Sequence, residues 1–151
     1  MSASVSLHWV TPENASLLDV IASDVFDQEV KPELLRQFLS NPSNLLVVAV
    51  AYGEVVGMAT GIAYVHPDKP LSLFVNEVGV ADHFQRQGIG RRLMSAILER
   101  GTRLGCSEAW VATEVGNTAA RALYEACGGL PDEEHAVVYV YPLAGQAAPH
   151  E

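Results

Sequence analysis

Cysteine is nearly absent from this sequence, and its histidines are scattered, which limits the redox and metal chemistry open to the chain. Cys106 and Cys127 form neither a CxxC pair nor an obvious bridge. Free cysteines are usual in reducing compartments, so we expect neither a redox nor a zinc role. The histidines lack the spacing of a ligand set, and no metal centre is expected. They are His8, His66, His83, His135 and His150.

Long hydrophobic runs are also missing. The longest, residues 45–52, is far shorter than the roughly 20 residues that cross a bilayer. The start of the chain lacks the basic-then-apolar layout of a signal peptide, so we expect a cytoplasmic protein. No internal repeat, linker or change of composition divides the chain. One domain is therefore predicted over residues 1–143, followed by a flexible tail over residues 144–151.

Basic residues are scarce. Nine lysines and arginines stand against eighteen acidic residues, which gives a formal net charge of −9. Such a chain repels nucleic acid and anionic membranes but attracts cations. The charge therefore favours a basic or polyamine-like substrate.

Apolar periodicity in the first half predicts two helices followed by strands. Thr11 with Pro12 looks like a helix start, and this first helix is expected to end near Phe26. A second helix is predicted to start around Pro32 and stop at residues 41–42. The β-branched runs that follow, with a Gly-Glu turn between them, predict a hairpin, and residues 71–80 predict a third strand.

The second half alternates helices with strands. A helix is predicted from about Gly90 to Leu104, with Gly105 as its cap. The strand "EAWVAT" follows, and Asn117 can cap a further helix that ends at paired glycines. The run "HAVVYVYPL", residues 135–143, is predicted to be the final strand. The whole pattern predicts a single mixed α/β domain.

A glycine-flanked turn, "QRQGIG", lies between the third strand and the long helix. Gly88 and Gly90 lack Cβ atoms, so an anion can approach the backbone N–H groups at the positive end of the helix. Arg86 and Arg91 can add charge-assisted contacts. A dinucleotide fingerprint would need a third glycine, and a P-loop would need Gly-Lys-Ser/Thr. Neither is present, and an ordinary tight turn remains the alternative to a phosphate site.

The same stretch resembles the acyl-CoA loop, Arg/Gln-x-x-Gly-x-Gly/Ala, of the Gcn5-related N-acetyltransferases, the GNAT superfamily. A second run, "GNTAARALYEACGG", is similar to that family's Asn-x-x-Ala-x-x-Leu-Tyr signature. The resemblance implies a GNAT fold, a mixed and mainly antiparallel sheet flanked by helices, with "SVSLHWV" as first strand. It also implies acetyl-CoA as donor, without a metal. The donor-binding residues it implies are Val78, Gly79, Val80, Gln85, Arg86, Gln87, Gly88, Ile89, Gly90, Arg91, Asn117 and Tyr124.

Acetyl transfer needs a neutral amine, a polarised carbonyl and a proton for the leaving thiolate. Glu77 stands in an otherwise apolar strand and is the candidate base, acting directly or through water; a solvated charge on an open sheet face is the alternative. By resemblance, the backbone N–H of Val80 polarises the carbonyl and Tyr124 protonates the thiolate. Tyr124 could instead be a core aromatic, and Asn117 could be only a helix cap. Trp110 is interpreted as core or dimer packing.

For the acceptor, acidic residues recur where the cleft of the fold should lie: Asp24, Asp27, Glu29, Glu77 and Glu114. Several tracts resemble the aminoglycoside 3-N-acetyltransferase branch, which implies an aminoglycoside acceptor. Two departures stand out, since Asn117 and Thr118 replace an aspartate pair and Glu77 replaces an aspartate. A solvated loop is the alternative for positions 24–29.

Two other functions stay open. One is a protein acetyltransferase acting on lysine or N-terminal amines, and the other is a non-catalytic CoA-binding module. A homodimer is also expected, because the apolar run at 135–143 could pair across an interface.

Overall fold

The computed structural model describes residues 4–144 of the chain. Five strands, three α-helices and two short 3-10 helices make up this part. The strands are β1 (Ser6–Trp9), β2 (Asn44–Ala51), β3 (Glu54–Tyr64), β4 (Ser72–Val80) and β5 (Glu108–Val111). The α-helices are α1 (Pro32–Leu39), α2 (Ile89–Leu104) and α3 (Thr118–Ala126), and the 3-10 helices are Ala15–Asp19 and Asp82–Phe84.

The five strands form one sheet in the order β1-β2-β3-β4-β5. The first four are antiparallel neighbours, and β5 runs parallel to β4. Helix α2 supplies the crossover that a parallel pair requires. The predicted fold class, a mixed and mainly antiparallel sheet flanked by helices, is confirmed.

Helix α2 packs closely against the sheet because glycines stand at the contact. A Cβ at Gly61 of β3 would lie 3.1 Å from a methyl of Ile97, and one at Gly101 of α2 would lie 2.8 Å from a methyl of Leu73. Leu73 and Ile97 are themselves fully buried. This packing fixes the start of α2, and hence the glycine turn before it, relative to the end of β4.

Several local predictions are confirmed. Helix α1 begins at Pro32, the β2–β3 hairpin turns at Tyr52 and Gly53 with positive φ, and α2 ends at Gly105 with φ of 90°. The strand predicted at 108–113 is present but ends at Val111.

The predicted first helix is wrong. Instead of a helix that reaches Phe26, the chain forms only the 3-10 helix Ala15–Asp19. The Asn14 side chain accepts a hydrogen bond from the Thr11 N–H at 2.7 Å and donates to the Trp9 carbonyl at 2.9 Å, which favours a turn over a continuing helix. The next residues then bond to β3, because Val55 N–H donates to the Val20 carbonyl.

The predicted final strand is also wrong. Residues 135–143 adopt no strand, and the large apolar side chains from Val137 to Tyr141 are 63 to 82% exposed. Strand propensity reflects packing on a pleated surface, and this run has no neighbouring strand in the described part of the chain. Of the predicted tail, residues 145–151 lie outside the described residues, and the domain boundary stays a prediction.

Among the helices of residues 4–144, none is long and apolar enough to cross a membrane. The same part of the chain contains no group of three or more His, Cys, Asp or Glu side chains arranged to hold a metal ion. The cytoplasmic location stays a prediction.

Candidate active site

The turn before α2 presents a series of free backbone N–H groups. Arg86 and Gly88 have positive φ of 63° and 81°, and Gly88 is the N-cap of α2 without a side-chain cap. The N–H groups of residues 86–91 donate to no acceptor within residues 4–144, and the first bonded one is that of Arg92, to the Gly88 carbonyl. Turns of this kind at a helix start form anion-binding concavities. The predicted phosphate turn is therefore present as geometry.

Space at this turn fits an anionic group. A Cβ at Gly88 would meet nothing within 4 Å, so the backbone there faces an open volume. Gly90 is different, because a Cβ would lie 3.4 Å from Leu123 of α3, and its role is to let the two helices pack. Arg86 and Arg91 are exposed beside the turn and can reach an anion.

Two glutamines of this turn have structural roles. Gln85 Nε2 donates to the Val80 carbonyl at 3.0 Å, and Gln87 Nε2 donates to the His83 carbonyl at 3.4 Å. Gln85 thus ties the turn to the last residue of β4. Any contact of theirs with a donor molecule stays a prediction.

Strands β4 and β5 separate halfway along β4. Their register covers only residues 72–75 of β4 against 108–111 of β5. The Ala81 N–H donates to the Val56 carbonyl of β3, and backbone groups alternate in direction along a strand. The N–H groups of Val78 and Val80 therefore point away from β3, toward the side that β5 has left. Backbone N–H groups placed in this way can donate hydrogen bonds to the carbonyl of a thioester and to the amides of a pantetheine arm.

A β-bulge directs Glu77 to the face opposite α2. Val75 pairs with Gly61, but the next pair is Glu77 with Thr60, which leaves Asn76 as the extra residue of β4. Without this bulge Glu77 would pair with Ala59 and point toward α2, since side chains alternate along a strand. The bulge places the carboxylate on the face covered by residues 20–31. The composition of the strand alone gave no sign of it.

The surroundings of Glu77 raise its pKa. Partial burial of the carboxylate is the larger cause, and the negative charge of Asp27 adds to it. Both effects disfavour the ionised form. A carboxylate whose pKa is moved toward neutrality is better matched to proton abstraction than an ordinary one.

Residues 20–31 lie against β4 at one close contact. The Val25 carbonyl would be only 2.4 Å from a Cβ at position 79, so only glycine fits there. The structure gives Gly79 this packing role, and the predicted donor binding by Gly79 stays a prediction. The contact brings Asp27 close enough to Glu77 to influence its titration.

An open cavity of about 430 Å³ lies along this segment. Asp27 and Glu29, two predicted acceptor residues, line it together with Asp19, which the sequence analysis missed. Its other lining residues are Leu18, Ile21, Ala22, Ser23, Phe26, Gln28 and Val30. Asp19 was missed because the sequence analysis put it inside a predicted helix that reached Phe26, whereas the observed 3-10 helix ends at Asp19.

The remaining predicted acids lie elsewhere. Asp24 accepts a hydrogen bond from the Asp82 N–H at 2.7 Å, and this bond is the main cause that lowers the Asp24 pKa. It connects the segment of residues 20–31 to the 3-10 helix Asp82–Phe84 that follows β4. Glu114 is exposed in the turn between β5 and α3 and does not line the cavity. Acceptor binding by either residue stays a prediction.

Helix α3 carries the last two candidates. Asn117 Oδ1 accepts from the Ala120 N–H at 3.1 Å, so the predicted helix cap is confirmed. Tyr124 packs against the core, and burial raises the pKa of its phenol. A phenol with a raised pKa stays protonated at neutral pH, as a proton donor must. Trp110 is 47% exposed, and its indole N–H donates to the Tyr64 hydroxyl at 2.7 Å, so it is not a core residue.

Comparison with known proteins identifies the family. The model of the "Acetyltransferase (GNAT) family" matches residues 10–129. The chain belongs to this family. A curated relative, N-alpha-acetyltransferase RimI of Mycobacterium tuberculosis, is 33% identical over 106 residues, which are 69% of this chain and 63% of the relative. The match therefore spans less than two thirds of that relative's length.

Solved structures share the fold at low sequence identity. An aminoglycoside acetyltransferase, meta-AAC0020, from an uncultured soil metagenomic sample and in complex with trehalose, has a TM-score of 0.75 and 20% identity. The alignment covers 92% of this chain and 96% of that one. AAC(6')-Iy in complex with the bisubstrate analogue CoA-S-monomethyl-acetylneamine has a TM-score of 0.74 and 19% identity, with coverages of 93% and 100%. None of these matches tests the predicted 3-N branch.

Proposed function

We propose that this protein is an N-acetyltransferase that moves the acetyl group of acetyl-CoA to a primary amine by direct attack in a ternary complex. One observation carries the proposal: the bulge in β4 turns Glu77 to the sheet face that Val25 contacts at Gly79, close enough to Asp27 of the cavity for that charge to act on it, where β4 leaves β5. The free N–H groups of residues 86–91 begin just beyond the end of β4. The candidate base, the backbone N–H groups that can donate to the thioester carbonyl, and the anion site therefore follow one another along residues 77–91.

Each group has a role in this reaction. When bound, acetyl-CoA supplies a reactive thioester and a thiolate leaving group. The turn before α2 holds the pyrophosphate, and the Val80 N–H donates to the carbonyl oxygen as charge develops on it. Glu77 accepts the proton of the attacking amine, directly or through one water, and Tyr124 donates a proton to the departing sulfur.

For the acceptor, we propose a cationic small molecule, specifically an aminoglycoside. Asp19, Asp27 and Glu29 line the cavity and can hold several ammonium groups at once. Aminoglycoside acetyltransferases share the fold, which supports the idea without deciding it. Acetylation at the 3-N position rests on the sequence resemblance alone.

Protein N-terminal acetylation is the second candidate. It is favoured by one observation, the 33% identity to an N-alpha-acetyltransferase. A peptide acceptor would need backbone partners along an open groove, and the two candidates therefore differ in how much of the acceptor must be recognised.

Released thiol can be measured with acetyl-CoA and three acceptor classes: aminoglycosides, polyamines and peptides with free N-termini. We expect the highest kcat/KM with an aminoglycoside, and NMR of the product identifies the acetylated nitrogen. Preference for the peptides would favour the second candidate. Acetyl-CoA binding without turnover on any amine would instead indicate a non-catalytic CoA-binding module.

We further propose a cytoplasmic homodimer in which the apolar run at 135–143 adds to the open edge of β5 in a second copy. Both are unpaired in the described chain, and exposed edges of this kind tend to recruit a strand. Light scattering should give a dimer mass for the full chain and a monomer mass after truncation at residue 134. A monomeric full-length protein would contradict this arrangement.

A further inference from the structure

Thr60 carries a buried hydroxyl without a hydrogen-bond partner. The residue is 9% exposed, and its Oγ1 is one of two buried side-chain polar atoms in the described chain that lack a partner. Leaving such a group unsatisfied destabilises the fold, and valine would fill the same space in a strand without that cost. A hydroxyl at this position therefore needs an explanation from its surroundings.

Thr60 pairs with Glu77 of β4 on one side and with the apolar Leu46 of β2 on the other. The bulge at Asn76 creates the pair with Glu77, and both side chains share the face opposite α2. Directly opposed residues of an antiparallel pair have Cβ atoms about 5 Å apart, which lets a glutamate carboxylate reach a threonine hydroxyl by rotating its side chain. Within residues 4–144 the Glu77 carboxylate accepts no hydrogen bond either. The pairing thus sets two polar groups without hydrogen-bond partners opposite each other on one face of the sheet.

We propose that Thr60 is a positioning residue for acetyl transfer, whose hydroxyl donates a hydrogen bond to ionised Glu77 and holds one carboxylate oxygen while the other faces the acceptor amine. This inference rests on the proposed function, because it takes Glu77 as the base. The proton from the amine moves to the outer oxygen, and the bond from Thr60 stays on the inner one.

The charges around Glu77 show why such a donor is needed. Asp27, from the segment that covers this face, is the charged group that acts on the carboxylate, and it opposes ionisation. From β3, the residues flanking Thr60 on the same face are Met58 and Ile62, which carry no charge. Asp24 is engaged by the Asp82 N–H. The Thr60 hydroxyl is therefore the donor from β3 that can favour the ionised carboxylate.

The test compares Thr60→Val with Thr60→Ser. Valine keeps the shape and removes the hydroxyl, whereas serine keeps the hydroxyl. With Thr60→Val we expect kcat to fall about tenfold, the acceptor KM to change less than twofold, and the acid limb of the pH–rate profile to move up by about 1 pH unit. Thr60→Ser should keep both kcat and the acid limb of the pH–rate profile close to those of the wild type. A purely structural threonine would leave the limb unmoved.

A second measurement does not depend on turnover. Carbon-13 NMR of labelled glutamate, assigned with Glu77→Gln, gives the Glu77 pKa in the full chain without acceptor. Thr60→Val should raise that pKa, and Thr60→Ser should leave it near the wild-type value. An unchanged Glu77 pKa together with wild-type kcat overturns the inference. If the wild-type protein acetylates no amine, the proposed function fails, and the catalytic role of Thr60 with it; the titration still decides whether the hydrogen bond exists.

Discussion

At the scale of single residues, the titration of Glu77 links the fold to the proposed chemistry. The base must be ionised, so the rate should fall as the pH drops through the Glu77 pKa. That pKa is raised by burial and then by Asp27. The contribution of the Asp27 charge to this pKa can be removed by a substitution that leaves Glu77 unchanged.

Asp27→Asn should therefore move the acid limb of the kcat/KM profile to lower pH, because one cause of the raised pKa is gone. The shift is measured from steady-state rates at saturating acetyl-CoA. Glu29→Gln is the matched control, since Glu29 lines the same cavity but does not act on Glu77. A limb that stays in place in Asp27→Asn would show that another group limits the rate.

Glu77 also makes stability depend on pH. A carboxyl whose pKa is raised in the folded protein stabilises the fold while it is protonated, and this contribution is lost as the pH rises through the folded pKa. Glu77→Gln should consequently melt higher than wild type at pH 8, with little difference at pH 4. Thermal unfolding at both pH values checks the sign. A variant that melts lower at pH 8 would mean that ionised Glu77 is stabilised in the fold.

Gly88 allows a clean separation of backbone strain from donor binding. Gly88→Val should weaken acetyl-CoA binding more than tenfold in calorimetry, because the side chain enters the open volume at the turn. Gly105→Val is a matched control at the other end of α2, since both glycines have positive φ and no neighbour within 4 Å of an added Cβ. Equal acetyl-CoA affinity in the two variants would show that the turn at Gly88 only caps the helix and does not bind the donor.

At the scale of elements, the segment of residues 20–31 packs closely on β4 because position 79 has no side chain. Gly79→Ala would place a Cβ 2.4 Å from the Val25 carbonyl, so residues 24–27 must shift. We expect the acceptor KM to rise several-fold and the melting temperature to fall, with acetyl-CoA affinity changed less. Both affinities can be measured on the same preparation. Loss of donor affinity alone would instead support the predicted donor role of Gly79.

Element predictions succeeded where the signal was local. Pro32 begins α1, Asn117 caps α3 and Gly105 ends α2, and each acts through its own backbone geometry or a short-range hydrogen bond. They failed at the first helix and the final strand. There the outcome depended on distant partners: residues 20–22 bond to β3, and the run at 135–143 lacks a strand beside it.

At the scale of the whole molecule, the net charge of −9 should attract a cationic acceptor over distance. Raising the ionic strength toward 1 M shortens the Debye length to about 3 Å, so the acceptor KM should increase several-fold. The KM of acetyl-CoA, measured in the same series, should rise less. An acceptor KM that does not respond to salt would contradict the acid-lined cavity as the acceptor site.

The sequence by itself determined the family, the glycine turn, the long helix α2 and the identity of the candidate base. Glycine at a positive φ and periodic apolar residues encode the turn and the helix within a few residues of chain, while two short motifs carry the family and a lone acid in an apolar strand indicates the base. The face on which Glu77 lies was decided only in the tertiary structure. The bulge at Asn76 changes which side every later residue of β4 occupies, and it exists only because β3 pairs with β4 in that register. The same pairing brings Thr60 opposite Glu77. The close approach of Val25 to Gly79 brings Asp27 near enough for its charge to act on Glu77. Such contacts join residues tens of positions apart, so no local pattern could predict them.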